Sequence, residues 1–442
     1  MARIWIGVDD TDSPRGGCTT WVLTEIVRLA RARRIDLLGE PRLVRLNPNV
    51  PWKTRGNAAL AARFGHGRGA ASVVGEIDGA PVRSYRRGTP LRGAEAASLV
   101  DAAWDRVRSL AEPARRTNPA LVASSRPLPP ALYWSAVQEV VPVGERVAAL
   151  RSRGVDGRTR GSRRGLIGAS AAIAWPGRRA TWELIAYRPA DRWGTPRSVD
   201  AESVRRAQQQ EPSLFLCHDP RTRRLLVAPH SPCPILYGLR STTPDAPARA
   251  RRIVRSEPVD RWMVFRTNQG TGDHLRPRSA GSIDPYRSAI VRGTIASTPT
   301  PGTGGHVRFE VVDATLARLP CIVFEPTKTL PRVARSLVVG DRVRVWGSRG
   351  RDGGLRLEGL AIERLARRTE TAKPVCSECR RPGRSLGTRR GFECPRCGRR
   401  WPPEAARTVR RAPGVSVGTY HPTPSARRHL AVLAPEGRTV RA

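Results

Sequence analysis

Carboxylates and glycines lie close together near the start of the chain, in an order that could hold a metal ion and a phosphate. Three aspartates follow an almost continuous apolar run, residues 3–8, as expected at the carboxyl end of a buried strand. A loop with two glycines, residues 16–20, then leads into a helical pattern. Carboxylates can bind Mg²⁺, while a glycine loop and a helix N-terminus present N–H groups to phosphate. The candidate catalytic residues are Asp9, Asp10 and Asp12, and the candidate phosphate-binding residues are Gly16 and Gly17.

The aspartate cluster has an ordinary alternative, because aspartates also form turns and cap helices. The sequence contains no Gly-x-x-x-x-Gly-Lys-Ser/Thr motif, so the chain is not a standard P-loop enzyme. A second polar segment, Lys53 to Asn57 together with Arg45 to Pro48, concentrates residue types that bind phosphate. Its alternative is a solvated basic loop.

Four cysteines near the C-terminus have the spacing of a metal site. They form two Cys-x-x-Cys pairs, and four thiolates at this spacing can surround one tetrahedral Zn²⁺ in a zinc ribbon. The alternative is a pair of unligated or redox-active sequences. Such a site would be structural, because all four positions are filled by protein and none is open for water. The candidate metal ligands are Cys376, Cys379, Cys394 and Cys397.

The chain carries a large excess of positive charge, with 78 Lys+Arg against 38 Asp+Glu and a formal net charge of +40. Nearly all of it is arginine, since the only lysines are Lys53, Lys328 and Lys373. A GC-rich genome could explain the choice of cation, but not the excess over acids. Arginine pairs with phosphate and stacks on unpaired bases. The composition therefore predicts a polyanionic partner and favours nucleic acid.

The N-terminus lacks the layout of a signal peptide, so we expect a cytoplasmic protein. The longest apolar stretch, Leu166 to Trp175, is well short of the ~20 residues that cross a bilayer, so we expect no membrane partner. The four cysteines outside the pairs are scattered, as expected of free thiols.

Several folding units must position these residues, because 442 residues exceed the usual size of one core. From Ala201 a helical pattern is followed by two short strands, Leu214–Leu216 and Leu225–Val227, joined by a polar turn, which fits a ferredoxin-like unit. After Pro285, evenly spaced apolar runs predict a small Greek-key barrel of OB type, although an SH3-like barrel would give a similar pattern. A glycine-rich turn, residues 161–168, is predicted to enter a buried helix and could close over a nucleotide.

Several distinctive segments follow one another along the chain, namely Ile6–Thr20, Arg45–Pro48, Lys53–Asn57, Arg266–Thr271, the two Cys-x-x-Cys pairs and Ala426–Leu430. Together they resemble the archaeal tRNA-isoleucine agmatidine synthetase family, TiaS. The resemblance spans nearly the whole chain, and the joint order of the segments makes it specific. One departure is that the family pattern has an acidic residue directly after Thr271, whereas this chain has Gly272 and then Asp273.

The resemblance implies a multidomain α+β fold whose units are an N-terminal α/β kinase-like domain, a ferredoxin-like domain, an OB-fold β-barrel and a zinc ribbon. The expected bounds are 1–190 for the ATP-binding catalytic (kinase-like) domain, 191–283 for the ferredoxin-like domain, which can interleave with the first, 284–367 for the OB-fold domain, 370–401 for the zinc ribbon and 402–442 for a basic C-terminal tail.

It also implies the reaction and its partners. ATP is cleaved, and the C2 oxygen of the wobble cytidine in the CAU anticodon of isoleucine tRNA is phosphorylated. The amine of agmatine then displaces this phosphorylated oxygen, which gives agmatidine. Phosphorylation makes this oxygen a leaving group, and a metal ion neutralises developing charge. The resemblance implies that Thr19 is an autophosphorylation site. On the chemistry of their side chains, we assign Mg²⁺ and phosphate binding to Asp9, Asp10 and Asp12. By residue type, Lys53 and Arg55 are the candidates for contacts with the ATP phosphates.

Two other functions stay open on the sequence. A non-catalytic nucleic-acid-binding protein needs only the OB barrel, the zinc ribbon and the charge, but leaves the aspartate-rich loop unexplained. An ATP-dependent enzyme acting on another RNA or on a small molecule would use the zinc ribbon only as a structural clip.

Overall fold

One large sheet runs through the N-terminal two thirds of the chain. The computed structural model describes residues 3–113, 117–367, 369–387, 389–410 and 414–433. The first thirteen strands are β1 Ile4–Asp9, β2 Asp36–Leu38, β3 Arg42–Arg45, β4 Ala58–Ile77, β5 Ala80–Thr89, β6 Ala120–Ser124, β7 Asp156–Thr159, β8 Thr181–Tyr187, β9 Leu214–Phe215, β10 His218–Asp219, β11 Arg224–Leu225, β12 Ile235–Ser241 and β13 Arg261–Thr267.

Eleven of these strands form the sheet, in the order β7-β6-β1-β4-β3-β13-β8-β12-β9, with β2 and β5 paired to each other and to β4. The helices are α1 Thr19–Ala32, α2 Gly93–Leu110, α3 Ala131–Gln138, α4 Val143–Arg151, α5 Gly165–Ala174, α6 Ala201–Gln210, α7 Ala246–Arg251 and α8 Thr329–Arg335.

Strand β1 lies in the interior of this sheet and is covered on both faces, which explains its continuous apolar sequence. Ile6 and Val8 join a core with residues of α1 and α2. Trp5 points to the opposite face, where it joins a core with residues of α3 and α5. The aspartates that follow β1 therefore emerge between two packed layers.

Strand β13 ties the two halves of the sheet together. It pairs in parallel with β3 and antiparallel with β4 and β8. Strand β8, which precedes residue 190, pairs with β12 and β13, which follow it. The two predicted N-terminal units thus share one sheet, and their division at residue 190 stays a prediction.

The strand expected at Leu214–Leu216 exists in shorter form as β9, whereas the strand expected at Leu225–Val227 lies earlier, as β11, and shares only Leu225 with the prediction. The two strands do not pair with each other. Strand β9 pairs with β12, and the hairpin between them is β10 with β11. Sequence periodicity marks strands but carries little information about which strand lies beside which.

The predicted barrel is a closed ring of five strands. Around the ring the order is β14-β16-β17-β19-β18, with β18 pairing back to β14 and α8 between β17 and β18 in sequence. Alternate residues of β16, from Val307 to Val311, face its core. The strands of this region are β14 Ser288–Ile295, β15 Thr300–Pro301, β16 Val307–Val312, β17 Arg318–Val323, β18 Arg342–Arg349 and β19 Leu355–Arg364.

A small cysteine-containing region follows, and the chain then returns to the barrel. Strand β20 (Thr369–Ala372) pairs with β24 (Arg407–Arg410), and they enclose a three-stranded sheet. That sheet consists of β21 Arg384–Ser385, β22 Phe392–Glu393 and β23 Arg400–Trp401. Strand β25 (Gly418–Tyr420) pairs with β19. Much of the predicted tail is therefore ordered against the rest of the protein; residues 411–413 and 434–442 of it lie outside the described residues.

No helix within the described ranges has the length and apolar character needed to cross a membrane.

Candidate active site

A cavity of about 400 Å³ opens where β1 ends, between the N-terminal layers and strands β8 and β12. Its size suits a small-molecule ligand. Gly16 and Gly17 are not among the residues that line it. Six of the candidate residues line it, namely Asp9, Asp10, Asp12, Thr19, Lys53 and Arg55.

Asp9 ends β1 directly against helix α5. A Cβ atom on Gly168 would lie 1.9 Å from the Asp9 Oδ2 atom, so only glycine lets α5 approach this carboxylate. The Asp9 Oδ1 atom accepts a hydrogen bond of 2.7 Å from the Asp10 backbone N–H. Burial, and next the charge of Asp10, hold the pKa of Asp9 well above its usual range. Gly168, in the first turn of α5, therefore shapes the site.

Asp10 has a backbone φ of +57°, in the left-handed region that aspartate tolerates better than most residues. Its Oδ2 atom accepts hydrogen bonds from the backbone N–H (3.1 Å) and side-chain Nδ2 (3.2 Å) of Asn118. Burial raises the pKa of Asp10 to about 6, although the Asn118 hydrogen bonds act in the opposite direction. Sequence analysis did not identify Asn118, whose only signal is its place before a proline in a loop.

Asp12 joins the two polar segments that the sequence left separate. Its carboxylate accepts from Arg55 at 2.6 Å (Nη2) and 2.8 Å (Nε), and from the Thr54 hydroxyl at 3.0 Å. The same Arg55 Nη2 donates to the Gly17 carbonyl at 2.6 Å. Although burial alone would lower it, the Asp12 charge raises the pKa of Arg55. Arg55 thus links the segment from Lys53 to Asn57 to the glycine loop through hydrogen bonds.

Thr19 begins α1, and the Thr11 hydroxyl donates to the Thr19 Oγ1 atom at 3.0 Å. Thr19 is buried yet faces the cavity, as do Cys18 and Thr20. Lys53 is an exposed residue on the cavity wall, with its Nζ against the Pro48 carbonyl.

Sequence reasoning missed a group of charged residues on the opposite wall. Glu183 is 3% exposed, and it was recognisable as a lone carboxylate in the apolar strand β8. Its Oε1 accepts from Arg240 Nε at 3.0 Å, and its Oε2 lies 3.8 Å from Arg45 Nη2. Arg240 on β12 lies directly across from Glu183 in the strand register. Their neighbour His429 comes from the C-terminal segment.

Side-chain hydrogen bonds hold the loop after β13 against the neighbouring elements. Asn268 is fully buried and bonds both backbone polar groups of Arg45, at 2.7 and 2.9 Å. Asp273, at the position where the chain departs from the family pattern, accepts from the Tyr133 hydroxyl at 2.6 Å. That carboxylate therefore braces α3.

The four paired cysteines converge. Their sulfur atoms all lie within 4.8 Å of one another, and those of Cys376 and Cys397 are 3.6 Å apart. The residue after each Cys-x-x-Cys, Arg380 or Gly398, is left-handed and donates its N–H back to the first cysteine's carbonyl, at 2.8 and 3.1 Å. Two matching turns thus present four thiols at a spacing that fits a tetrahedral Zn²⁺ ion. Among the described residues, the three aspartates form no such convergent group.

Comparison with known proteins matches both halves of the large sheet. Residues 5–158 match the family model for the TiaS TCKD domain, and residues 163–274 match that for the TiaS FLD domain. The isoleucine-tRNA 2-agmatinylcytidine synthetase TiaS of Cenarchaeum symbiosum (strain A) is 35% identical over 450 residues, covering 99% of this chain and 94% of that relative. This chain belongs to the TiaS family.

Solved TiaS structures share the whole architecture. A complex of TiaS with its isoleucine tRNA and ATP superposes with a TM-score of 0.83 at 32% identity, over 99% of each chain. A complex of TiaS with the same tRNA, AMPCPP and agmatine superposes with a TM-score of 0.81 at 30% identity, again over 99% of each chain. The likeness to the TiaS fold therefore includes the barrel and the cysteine region, which the two domain models do not cover.

Proposed function

We propose that this protein ligates agmatine to C2 of the wobble cytidine in the CAU anticodon of isoleucine tRNA, using ATP. The observation that carries this function is the full-length relationship to TiaS proteins, including one crystallised in a complex with an isoleucine tRNA, AMPCPP and agmatine. The binding-protein alternative is not favoured, because it gives no role to a cavity with three aspartates on its wall.

The aspartates and the threonine serve the phosphoryl chemistry. Asp9 and Asp10 carry the oxygens that would hold Mg²⁺, which when bound would neutralise charge on the transferring phosphate. Asp12 orders the loop through Arg55, and as a third carboxylate on the same cavity wall it contributes to binding Mg²⁺ and phosphate. Thr19 is the autophosphorylation site, which its hydroxyl on the cavity wall supports. Lys53 and Arg55 contact the ATP phosphates, while Gly16 and Gly17 keep the loop narrow enough for Arg55 to reach its carbonyls.

The remaining modules bind tRNA. The five-strand order, with the parallel contact between β17 and β19, supports an OB fold, and the β21–β23 sheet beside the cysteines supports a zinc ribbon holding Zn²⁺ through Cys376, Cys379, Cys394 and Cys397. The 1–190 and 191–283 units act as kinase-like and ferredoxin-like domains. A single-stranded wobble base can be splayed into the cavity while these modules hold the stems. The protein acts in the cytoplasm.

Mass spectrometry of nucleosides tests the function directly. Isoleucine tRNA with a CAU anticodon is incubated with the protein, ATP, Mg²⁺ and agmatine, beside the same tRNA with a GAU anticodon. We expect an agmatine adduct on the wobble cytidine of the first tRNA and none on the second. Tight binding without modification would favour a binding protein, and ATP cleavage indifferent to tRNA would favour another substrate.

A further inference from the structure

The C-terminal segment 425–433 completes the wall of the cavity. The N–H groups of Gly270 and Gly272 donate to the carbonyls of His429 and Leu430, at 2.8 and 2.9 Å. The Leu430 side chain is 1% exposed and joins the core formed by α3 and α5. This segment is thus anchored to the N-terminal half of the protein, far from it in sequence.

A chain of side-chain contacts leads from this segment to the cavity arginines. His429 Nδ1 lies 2.9 Å from Gln269 Oε1, and the Gln269 Nε2 group donates to the Glu183 carboxylate. Glu183 in turn lies between Arg240 and Arg45. Gln269 is fully buried, so its amide must bond in this orientation.

The charges of this wall favour an anion. Two guanidinium groups, on Arg45 and Arg240, share one carboxylate, which leaves one positive charge. The positive charge of Arg45 above all, together with that of Arg240, holds the pKa of His429 well below its usual range. Although the residue is exposed, its imidazole therefore stays neutral and adds no charge. Burial lowers the pKa of Arg45 only to about 10, so it stays cationic at neutral pH.

Arg45 also has donor capacity to spare. Its Nη2 atom lies 3.8 Å from Glu183, its Nη1 atom donates one long hydrogen bond of 3.5 Å to the Gly56 carbonyl, and its Nε atom has no partner among the described residues. Weakly bonded terminal nitrogens of a guanidinium on a cavity wall are donors that a phosphate oxygen satisfies well.

We propose that Arg45 and Arg240 form a phosphate-binding wall of the cavity, and that His429 is the positioning residue that sets this wall through Gln269 and Glu183. The bound phosphate belongs either to ATP or to the tRNA backbone, a choice of ligands that rests on the proposed function. His429 contacts no reacting atom in this role. It donates the Nδ1 proton to Gln269, which fixes the amide so that its NH₂ group faces Glu183.

Three substitutions of His429 separate positioning from other roles. In His429→Asn the amide nitrogen can replace Nδ1, whereas in His429→Gln it can only replace Nε2. We expect binding of AMPCPP or of the tRNA to weaken about tenfold in His429→Ala and His429→Gln, and to stay within about threefold of the unsubstituted protein in His429→Asn. His421→Ala is the matched control, because His421 precedes this segment by four residues and packs against Trp346, and it does not line the cavity.

Binding is measured by titration calorimetry with AMPCPP and by filter binding with unmodified tRNA, on protein shown to be folded by thermal unfolding. Weaker AMPCPP binding assigns the phosphate to ATP, and weaker tRNA binding assigns it to the backbone. Unchanged affinity for both, or an asparagine variant as weak as the alanine one, overturns the proposal. Arg240→Gln tests the wall itself if the His429 variants do not fold: unchanged affinity for both ligands there also overturns it. These readouts need no turnover, so a failure to form agmatidine refutes the proposed function separately.

Discussion

Arg55 donates hydrogen bonds to the Asp12 carboxylate from two nitrogen atoms, Nε and Nη2. The same Nη2 atom also donates to the carbonyl of Gly17. A guanidinium can do this because its donors are fixed in a planar fork, whereas a lysine ammonium acts as a point charge. The contact between the loop that contains Asp12 and the segment that contains Arg55, about forty residues later, therefore requires an arginine and not merely a positive charge.

Arg55→Lys should keep the charge but lose the fork. We expect kcat/KM for ATP to fall at least 30-fold, with a loss of about 1–2 kcal/mol in the free energy of unfolding, because the pair is largely buried. Arg86→Ala, an exposed change on β5, is the control for a lost cation. Steady-state ATP cleavage and urea unfolding measure the two effects. Wild-type ATP kinetics in Arg55→Lys would show that the fork is dispensable.

Replacing Asp10 should lower the activity of the protein but raise its stability. Asp10→Asn removes the ionised carboxylate, so we expect ATP cleavage to be abolished while tRNA binding survives. In the wild type, protonation of Asp10 should make kcat/KM for ATP fall as the pH drops through about 6. Retained turnover in the variant, or a profile flat between pH 5 and 7, would contradict this role.

The same group carries a stability prediction. Its pKa is about 6 in the folded protein and 3.8 in the free side chain, so the folded state binds more protons between these values and loses stability as the pH rises through that window. Asparagine mimics the protonated form. Asp10→Asn should therefore be more stable by about 1 kcal/mol at pH 7, after allowing for partial exposure, and this gain should vanish below pH 4. Thermal unfolding at pH 4 and pH 7 measures the difference.

Local patterns in the sequence predicted the strand and the helices that position the residues of the site. The run before Asp9 is β1, the spacing after Cys18 is α1, and residues 161–168 enter the buried helix α5. The apolar runs after Pro285 became four of the five barrel strands. These predictions succeed because burial on one or both faces leaves a periodic trace in the chain.

Contacts between distant segments left no such trace. Asn118 on Asp10, Arg55 on Asp12 and His429 on Gln269 each join side chains that periodicity cannot pair. The segment with His429 was expected only to be part of a basic C-terminal tail, since a basic, proline-containing stretch has no periodic pattern of its own. Its docking depends on backbone bonds to a loop more than 150 residues earlier.

The cysteine cluster should separate tRNA binding from ATP chemistry. None of its four residues lines the cavity. Cys394→Ser should lower bound zinc from about one equivalent to less than a tenth, and weaken tRNA binding at least tenfold. Binding of AMPCPP should stay within about twofold. Plasma mass spectrometry and filter binding measure these, with Ser377→Ala as a control in the same region. Equal tRNA affinity without zinc would remove the cluster from the tRNA interface.

Gly168 offers the sharpest test of the carboxylate geometry, because an added methyl group would meet the Asp9 carboxylate first and the Leu46 Cδ1 atom, at 2.8 Å, second. A Cβ there would lie 1.9 Å from the Asp9 Oδ2 atom, a distance that no relaxed structure allows. Gly168→Ala should therefore displace Asp9 and lower kcat for ATP cleavage at least 100-fold. Gly144→Ala is the matched control, since Gly144 also lies in a helix but a Cβ there meets no atom within 4 Å. This control should gain up to about 1 kcal/mol in stability from alanine's helix propensity and keep full activity. If both variants cleave ATP equally well, the close contact between α5 and Asp9 does not set the catalytic geometry.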